Sequence, residues 1–255
     1  MLDFEAALAN IQNAASGALA FEALNRSIAR YGYNRATYSF LTDHASIGEK
    51  ALHGVSTSYP DDWLKYYGER DYFSIDPVIS RMLAKPGAFF WDDAVEAVRR
   101  DQRLDAAAIA QRSAMMQEAV EVGLADGIGV SFVNEFGEIA AIGISRADKE
   151  RKRDYRALAE LAMLSTIFHE KFGSYSKPTL FPILTNREKE VLLWSSEGKS
   201  DLDISQILGI SRAAVRFHWN KIFKKLGVNS KLLATITAIR CKIIIPHTVN
   251  SLVRR

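Results

Sequence analysis

A single cysteine, Cys241, in 255 residues excludes an intrachain disulfide framework and any cysteine-cluster metal site, and it suits a reducing cytoplasm. No apolar run approaches the roughly 18 residues of a membrane helix. Asp3 and Glu5 stand where a signal peptide would carry positive charge, so the expectation is a cytoplasmic protein with no membrane partner. There is no internal repeat and no low-complexity tract. Excess charge is also lacking, with 33 Lys and Arg against 30 Asp and Glu, but that balance hides an asymmetry. Residues 180–255 hold 13 basic and 5 acidic side chains, which leaves 20 against 25 in the preceding part. A basic end on a mildly acidic remainder points to a polyanion at that end only, with DNA ahead of a membrane surface.

What is present is 48% hydrophobic content, ample for one large or two modest cores. Residues 3–31 show helical spacing in two pieces, carried by Phe4, Leu8 and Ile11 and then by Leu19, Leu24 and Ile28, with a break near Ser16-Gly17. The segments 36–43 and 50–56 read as adjacent antiparallel strands. The stretch from Ser58 to Pro77 is crowded with aromatics and places Asp76 directly before proline; it reads as a pocket wall. Residues 76–85 are expected to be helical, 88–91 a strand and 103–122 a longer helix. Residues 127–133 and 138–145 flank a glycine-containing connection and read as a hairpin. The longest helical pattern covers 149–172, broad enough to be buried against the sheet and a partner chain, with the basic cluster from Lys149 to Arg153 as a solvated first turn.

The stretch GSYSKPTLFP, 173–182, has the composition of a linker. Beyond it Thr185 and Glu188 form a capping box. Ser200 with Asp203 starts a helix that Gly209 stops, and Ser211 at once starts another. On this second helix Val215, Trp219, Ile222 and Leu226 make one stripe, while Arg212, Arg216, Asn220 and Lys224 lie on other faces. Two capped helices joined by about three residues, with forked cations away from the buried stripe, form a helix-turn-helix. A last helix begins at Ser230, with Leu232, Ile236, Ile239 and Ile243 recurring along it.

The stretch from Leu184 to Val228 closely resembles the DNA-binding domain of LuxR-type regulators, with Glu188, Leu192 and Gly198 at signature positions. Tyr59, Trp63, Tyr67, Asp76-Pro77, Trp91 and Gly127 match, in order and spacing, the scattered signature of acyl-homoserine-lactone-binding domains. The resemblance is essentially full length. It implies an α+β fold: an N-terminal α-β-α sandwich around a five-stranded antiparallel sheet (1–172), a linker (173–182) and a C-terminal four-helix helix-turn-helix domain (183–255). It also implies a quorum-sensing transcription factor, usually an activator, that binds an autoinducer, dimerises on palindromic double-stranded DNA and acts with RNA polymerase.

By that resemblance Trp63 donates its indole N–H to the lactone carbonyl, Tyr59 its hydroxyl to the amide carbonyl, and Asp76 accepts from the amide N–H. The residue types suit the task, because burying those ligand atoms unpaired would cost roughly 1–3 kcal/mol each. Tyr67 and Trp91 are expected around the ring and Met115 along the tail. Many relatives carry Ser or Thr at the positions of Gly129 and Gly143, so a branched or aromatic acyl group is expected to fit as well as a linear one. Ser131 replaces a common family proline. On the DNA side Arg216 matches a base-contacting position, and its fork suits guanine O6 and N7. Asn220 is placed on adenine or a phosphate, and Lys199, Arg212, Lys221, Lys224 and Lys225 on phosphates. No cofactor or metal is expected. Two other readings compete: a LuxR-type regulator without its own synthase that answers a different small molecule, and an enzyme built on His44 or His53 with Asp43 or Glu49. The second rests only on sequence neighbours.

Overall fold

The computed structural model describes residues 4–44, 46–134, 136–149, 153–175 and 183–246. Most of the 173–182 stretch and part of the 149–153 cluster lie outside the described residues. The chain divides into two compact units, Met1–Asn134 with Glu138–Pro178, and Thr179–Arg255.

In the first unit α1 (Phe4–Gln12) and α2 (Gly17–Ile28) are separated where Ser16 caps α2 by accepting from the amide of Leu19 at 3.2 Å. Leu19 is exposed, and Ala20, Phe21, Ala23, Leu24 and Ile28 form the buried face instead. Strands β1 (Arg35–Phe40) and β2 (Leu52–Thr57) pair antiparallel, as the alternation predicts. They are followed by α3 (Asp61–Glu69) and α4 (Pro77–Ala84). Strand β3 (Gly87–Phe90) ends one residue earlier than expected: Trp91 opens α5 (Trp91–Arg100), a helix the sequence did not announce. Its interior, DDAVEAVRR, is dominated by charge and leaves a short apolar signal. Helix α6 (Ala106–Glu121) starts at the N-cap Asp105, so Leu104 precedes it. Strands β4 (Asp126–Val133) and β5 (Ile139–Arg146) form the expected hairpin, and α7 (Tyr155–Gly173) begins where Asp154 accepts from Ala157 N at 2.9 Å.

The start of α7 corrects the reading of the basic cluster as a solvated first turn. Arg153 precedes the helix and binds Asp93 on α5 at 2.7 Å, with its guanidinium 5.3 Å from the Phe90 ring; Lys149 reaches Asp92 at 3.5 Å. The acidic first turn of α5 holds both cations.

The sheet order is β2-β1-β5-β4-β3, antiparallel throughout. Period-two alternation splits its faces. Ala36, Tyr38, Phe40, Ile128, Val130, Ala140, Ile142 and Ile144 pack with α1, α2 and α7 around Leu24, Leu161 and Phe168. The opposite face meets Trp63, Tyr67, Ile79, Met82, Met115 and Leu124 from α3, α4, α6 and the turn before β4. This is the α-β-α sandwich with a five-stranded sheet.

Two half-buried histidines pack on opposite faces of the sheet. His53 and His169 are each held down to about 4 by burial. Unfolded histidine titrates near 6.5, so between pH 6.5 and 4 the unfolded chain takes up protons that the folded one refuses, and stability falls as the pH is lowered. We expect denaturant unfolding at pH 5 to show a loss of about 2 kcal/mol per ring relative to pH 7, reduced when either histidine is changed to Gln. Equal stability at the two pH values would contradict this.

The second unit contains α8 (Asn186–Ser196), α9 (Asp201–Leu208), α10 (Arg212–Leu226) and α11 (Lys231–Arg240). Every expected cap is formed: the Thr185–Glu188 and Ser200–Asp203 boxes, Ser211, Ser230, and Gly209 in the left-handed region at φ +62. Leu192, Ile204, Val215, Trp219 and Ile222 fill the core. Helix α11 departs from expectation. Ala234 and Ala238 face inward, while Leu232, Leu233, Ile236 and Ile239 are exposed. Small side chains let α11 approach α8 and α10 closely, which turns the branched stripe outward.

Candidate functional site

Between the second face of the sheet and α3–α6 lies a cavity lined by Thr37, Ser39, Tyr59, Trp63, Tyr67, Asp76, Trp91, Met115 and Gly143 among others. Seven of the eight expected ligand-side residues therefore surround one space. Local structure explains each placement. Asp76 caps α4, with Pro77 at N1, where a fixed φ and a missing N–H cost nothing. Its Oδ1 accepts from the amides of Val78 at 2.6 Å and Ile79 at 3.3 Å, and its Oδ2 from the Tyr67 hydroxyl at 2.8 Å. Burial pushes the Asp76 carboxyl up, and these three donors oppose the shift. Burial beside Asp76 likewise pushes the Tyr67 phenol up, so it stays a donor.

Trp63 and Tyr67 project from α3, four residues apart on one face, with ring centroids 5.9 Å apart. Trp91 covers Gly127: a Cβ there would lie 2.5 Å from both the indole and the Ile144 carbonyl oxygen. Glycine is therefore required at 127 for the tryptophan to reach the cavity.

A row crosses the whole sheet, because Thr57 pairs with Thr37, Thr37 with Gly143, Gly143 with Gly129 and Gly129 with Phe89. The two glycines at its centre differ. Gly143 opens to the cavity, with the Tyr59 hydroxyl 3.1 Å from where a Cβ would stand. Gly129 does not line it. The Phe89 ring and the Met82 methyl occupy the space over Gly129, so this glycine admits a protein side chain and adds no ligand volume. Ser131 is buried on the same strand and donates to the Lys85 carbonyl at 3.5 Å.

Three buried polar atoms in the cavity wall, Tyr59 Oη, Trp91 Nε1 and Thr37 Oγ1, have no hydrogen-bond partner among the described residues. Such groups are rare in a folded protein, because each forfeits its hydration without replacement. The wall also holds Ser39 and His53, joined at 3.0 Å, with the imidazole stacked on Tyr67 at 4.8 Å. Sequence reading passed over Thr37 and Ser39; inward alternation on β1 was the available signal. His53 thus belongs to the cavity wall and not to a pair with Asp43, which is tied on the surface to Lys50 and the Ala51 amide.

In the second unit Lys199, Arg212, Arg216, Asn220, Lys221 and Lys224 are exposed. At about 100° per residue, Ala213, Phe217, Asn220 and Lys224 lie opposite the buried Val215, Trp219 and Ile222, with Arg216 on the flank. Phe217 is 55% exposed and lies under the Lys221 ammonium at 4.5 Å, an aromatic on the outward face that the charge pattern had not singled out. Lys225 is exposed as well, but it differs from these residues in having its ammonium paired within the module. Its ammonium donates to the buried Glu188 carboxylate at 2.7 Å and to the Ile183 carbonyl at 3.2 Å. A buried carboxylate needs a cation, so Lys225 is engaged inside the module. Among the described residues no group of three or more His, Cys, Asp or Glu side chains is placed to hold a metal ion, and no helix is long and apolar enough to cross a membrane.

Comparison with known proteins agrees with this arrangement. The autoinducer binding domain family matches residues 18–172, and the luxR family of bacterial regulatory proteins matches residues 182–238. A putative HTH-type transcriptional regulator, y4qH of Sinorhizobium fredii, is 32% identical over 88% of this chain and 68% of its own length. The transcriptional activator protein AnoR of Acinetobacter nosocomialis is 25% identical over 86% of this chain and 89% of its own. The crystal structure of Escherichia coli SdiA superposes with a TM-score of 0.69 at 19% identity, covering 95% of this chain and 98% of SdiA; at that identity the likeness concerns the fold. With both family signatures spanning the sequence in order, the chain belongs to the LuxR-type transcriptional regulators that carry an autoinducer-binding domain.

Proposed function

We propose that the protein is a quorum-sensing transcription factor whose signal is an acyl-homoserine lactone, held by residues within 1–172, and that residues 183–255 bind DNA across a linker at 173–182. The observation that carries this reading is one cavity lined by Tyr59, Trp63, Trp91 and Asp76, in which the Tyr59 hydroxyl and the Trp91 indole N–H find no partner among the described residues and Asp76 offers an acceptor. A lactone carbonyl, an amide C=O and an amide N–H ask for that set, and the apolar wall of Met115, Met116, Ala119 and Leu124 suits a tail. Trp63 takes the lactone carbonyl, Tyr59 the amide carbonyl and Asp76 the amide N–H, with Tyr67 and Trp91 around the ring. Gly143 leaves room at the first acyl carbons for a branched or aromatic group.

On DNA, Arg216 reads a base, Asn220 a base or a phosphate, and Lys199, Arg212, Lys221 and Lys224 hold phosphates. The protein acts as a cytoplasmic homodimer that activates transcription with RNA polymerase. The exposed Leu232, Leu233, Ile236 and Ile239 stripe on α11 supports a dimer contact in the second unit, and a two-fold dimer matches half-sites about 10 base pairs apart. Bound ligand favours this state by mass action on the folded first unit.

The test is mass spectrometry of small molecules released from protein purified out of cells fed straight-chain, branched and aromatic acyl-homoserine lactones. One lactone per chain is the expected result. Recovery of a different compound in that ratio would favour a regulator without its own synthase that answers another signal.

A further inference from the structure

The lactone reading gives Tyr59, Trp63 and Asp76 their tasks and leaves Thr37 unused. Thr37 is 4% exposed, its Oγ1 is buried without a hydrogen-bond partner, and the residue lines the cavity. It lies directly across from Gly143 in the β1–β5 pairing, so the two share a sheet face. Its methyl is 3.4 Å from where a Cβ on Gly143 would stand, and the Tyr59 hydroxyl is 3.1 Å from the same point. The Tyr59 hydroxyl and the Thr37 methyl thus border the space above one glycine, and the Thr37 hydroxyl belongs to the same cavity wall. A threonine kept for packing alone would sit there as valine, which has the same shape and no buried hydroxyl to satisfy. A hydroxyl beside a cavity is useful only when something in the cavity completes it.

We propose that Thr37 is a ligand-binding residue: its hydroxyl donates to the acyl carbonyl oxygen lying over Gly143, beside the Tyr59 hydroxyl. A carbonyl oxygen has two lone pairs and can accept from both. The strand opposite then supplies the hydroxyl that a Ser or Thr at 143 would otherwise provide, and the ligand gains the volume of the missing side chain without losing a donor. This joins a wide site at the first acyl carbons with firm fixation of the carbonyl, an arrangement suited to acyl groups branched or ringed next to the amide.

The assignment rests on the lactone reading, and the test separates the two. Full-length wild type, Thr37→Val and Thr37→Ser are compared by calorimetric titration and by thermal melts with and without the lactone that wild type binds most tightly among N-octanoyl, N-isovaleryl and N-benzoyl homoserine lactone. Thr37→Val is expected to bind about 5- to 100-fold more weakly, with a ligand-free melting temperature equal to or above wild type. Thr37→Ser, which keeps the hydroxyl, should remain within a few-fold of wild type. Wild-type affinity in Thr37→Val overturns the assignment alone. So does a lowered ligand-free melting temperature with ligand affinity intact, since that marks a structural threonine. Failure of wild type to bind any of the lactones overturns the lactone reading and this one with it.

Discussion

Full-length protein carrying Trp63→Ala is expected to lose ligand-dependent transcription altogether, with lactone affinity reduced by two orders of magnitude or more. Trp63 is 4% exposed and packs against Tyr66, Tyr67 and Tyr72 at centroid distances near 6 Å. Truncation removes an apolar wall of the cavity and, on the proposed pose, the donor to the lactone carbonyl. Losing a buried donor to the ligand costs about 1–3 kcal/mol and losing the apolar contact of the indole about 1.5–3 kcal/mol more, which together reach the 2.7 kcal/mol or so that corresponds to 100-fold in a binding constant. Trp63→Phe separates the two contributions, since it keeps most of the packing and discards the N–H; it should fall between wild type and the alanine variant. Reporter output matching wild type across a ligand titration of Trp63→Ala would show that the pocket has been assigned to the wrong residues.

Arg216→Ala is expected to weaken binding to a sequence selected from a randomised duplex pool by about 5- to 150-fold, while binding to scrambled DNA changes little. A bidentate arginine–guanine pair is worth about 1–3 kcal/mol of discrimination, whereas a phosphate contact adds affinity for any sequence. Arg216 lies on the flank of α10, exposed and without an ion pair among the described residues, so its fork is available to a base edge. Equal loss on both duplexes, with a shallower salt dependence, would make it a phosphate contact. Lys224→Ala is the comparison, since uniform weakening is expected there. Lys225→Ala should instead destabilise the second unit, because it strands the Glu188 carboxylate.

Where local chemistry decides the structure, the sequence was readable. Ser200, Ser211, Ser230 and the Thr185–Glu188 box fix helix starts through bonds within three residues, and the alternation on β4 and β5 follows from one covered face after another. Where packing between distant segments decides, it was not. The Leu232–Ile239 stripe outscores Ala234 and Ala238 on hydrophobicity, yet close helix approach selects the alanines. Gly129 and Gly143 look alike in sequence; only the Phe89 ring, brought by a neighbouring strand, distinguishes a filled site from an open one. Lys225 carries the same charge as Lys224, and its partner lies 37 positions away. The signature residues around the cavity were recognisable through family resemblance, because their spacing records a three-dimensional arrangement that periodicity does not express. Thr37 belongs to no such signature, and its solitary hydroxyl is visible only in the folded state.

The burial of the cavity wall also bears on time. Tyr59, Trp63, Tyr67, Asp76, Trp91 and Met115 are all 8% exposed or less, so an occupant held among them leaves only when the α3–α6 layer parts from the sheet. On the lactone reading, dissociation is then expected to require local opening of the domain as well as the breaking of the individual contacts. On the proposed function, a regulator built this way is expected to keep its signal for some time after the signal is withdrawn. Its memory lasts as long as the layer stays shut or the chain survives.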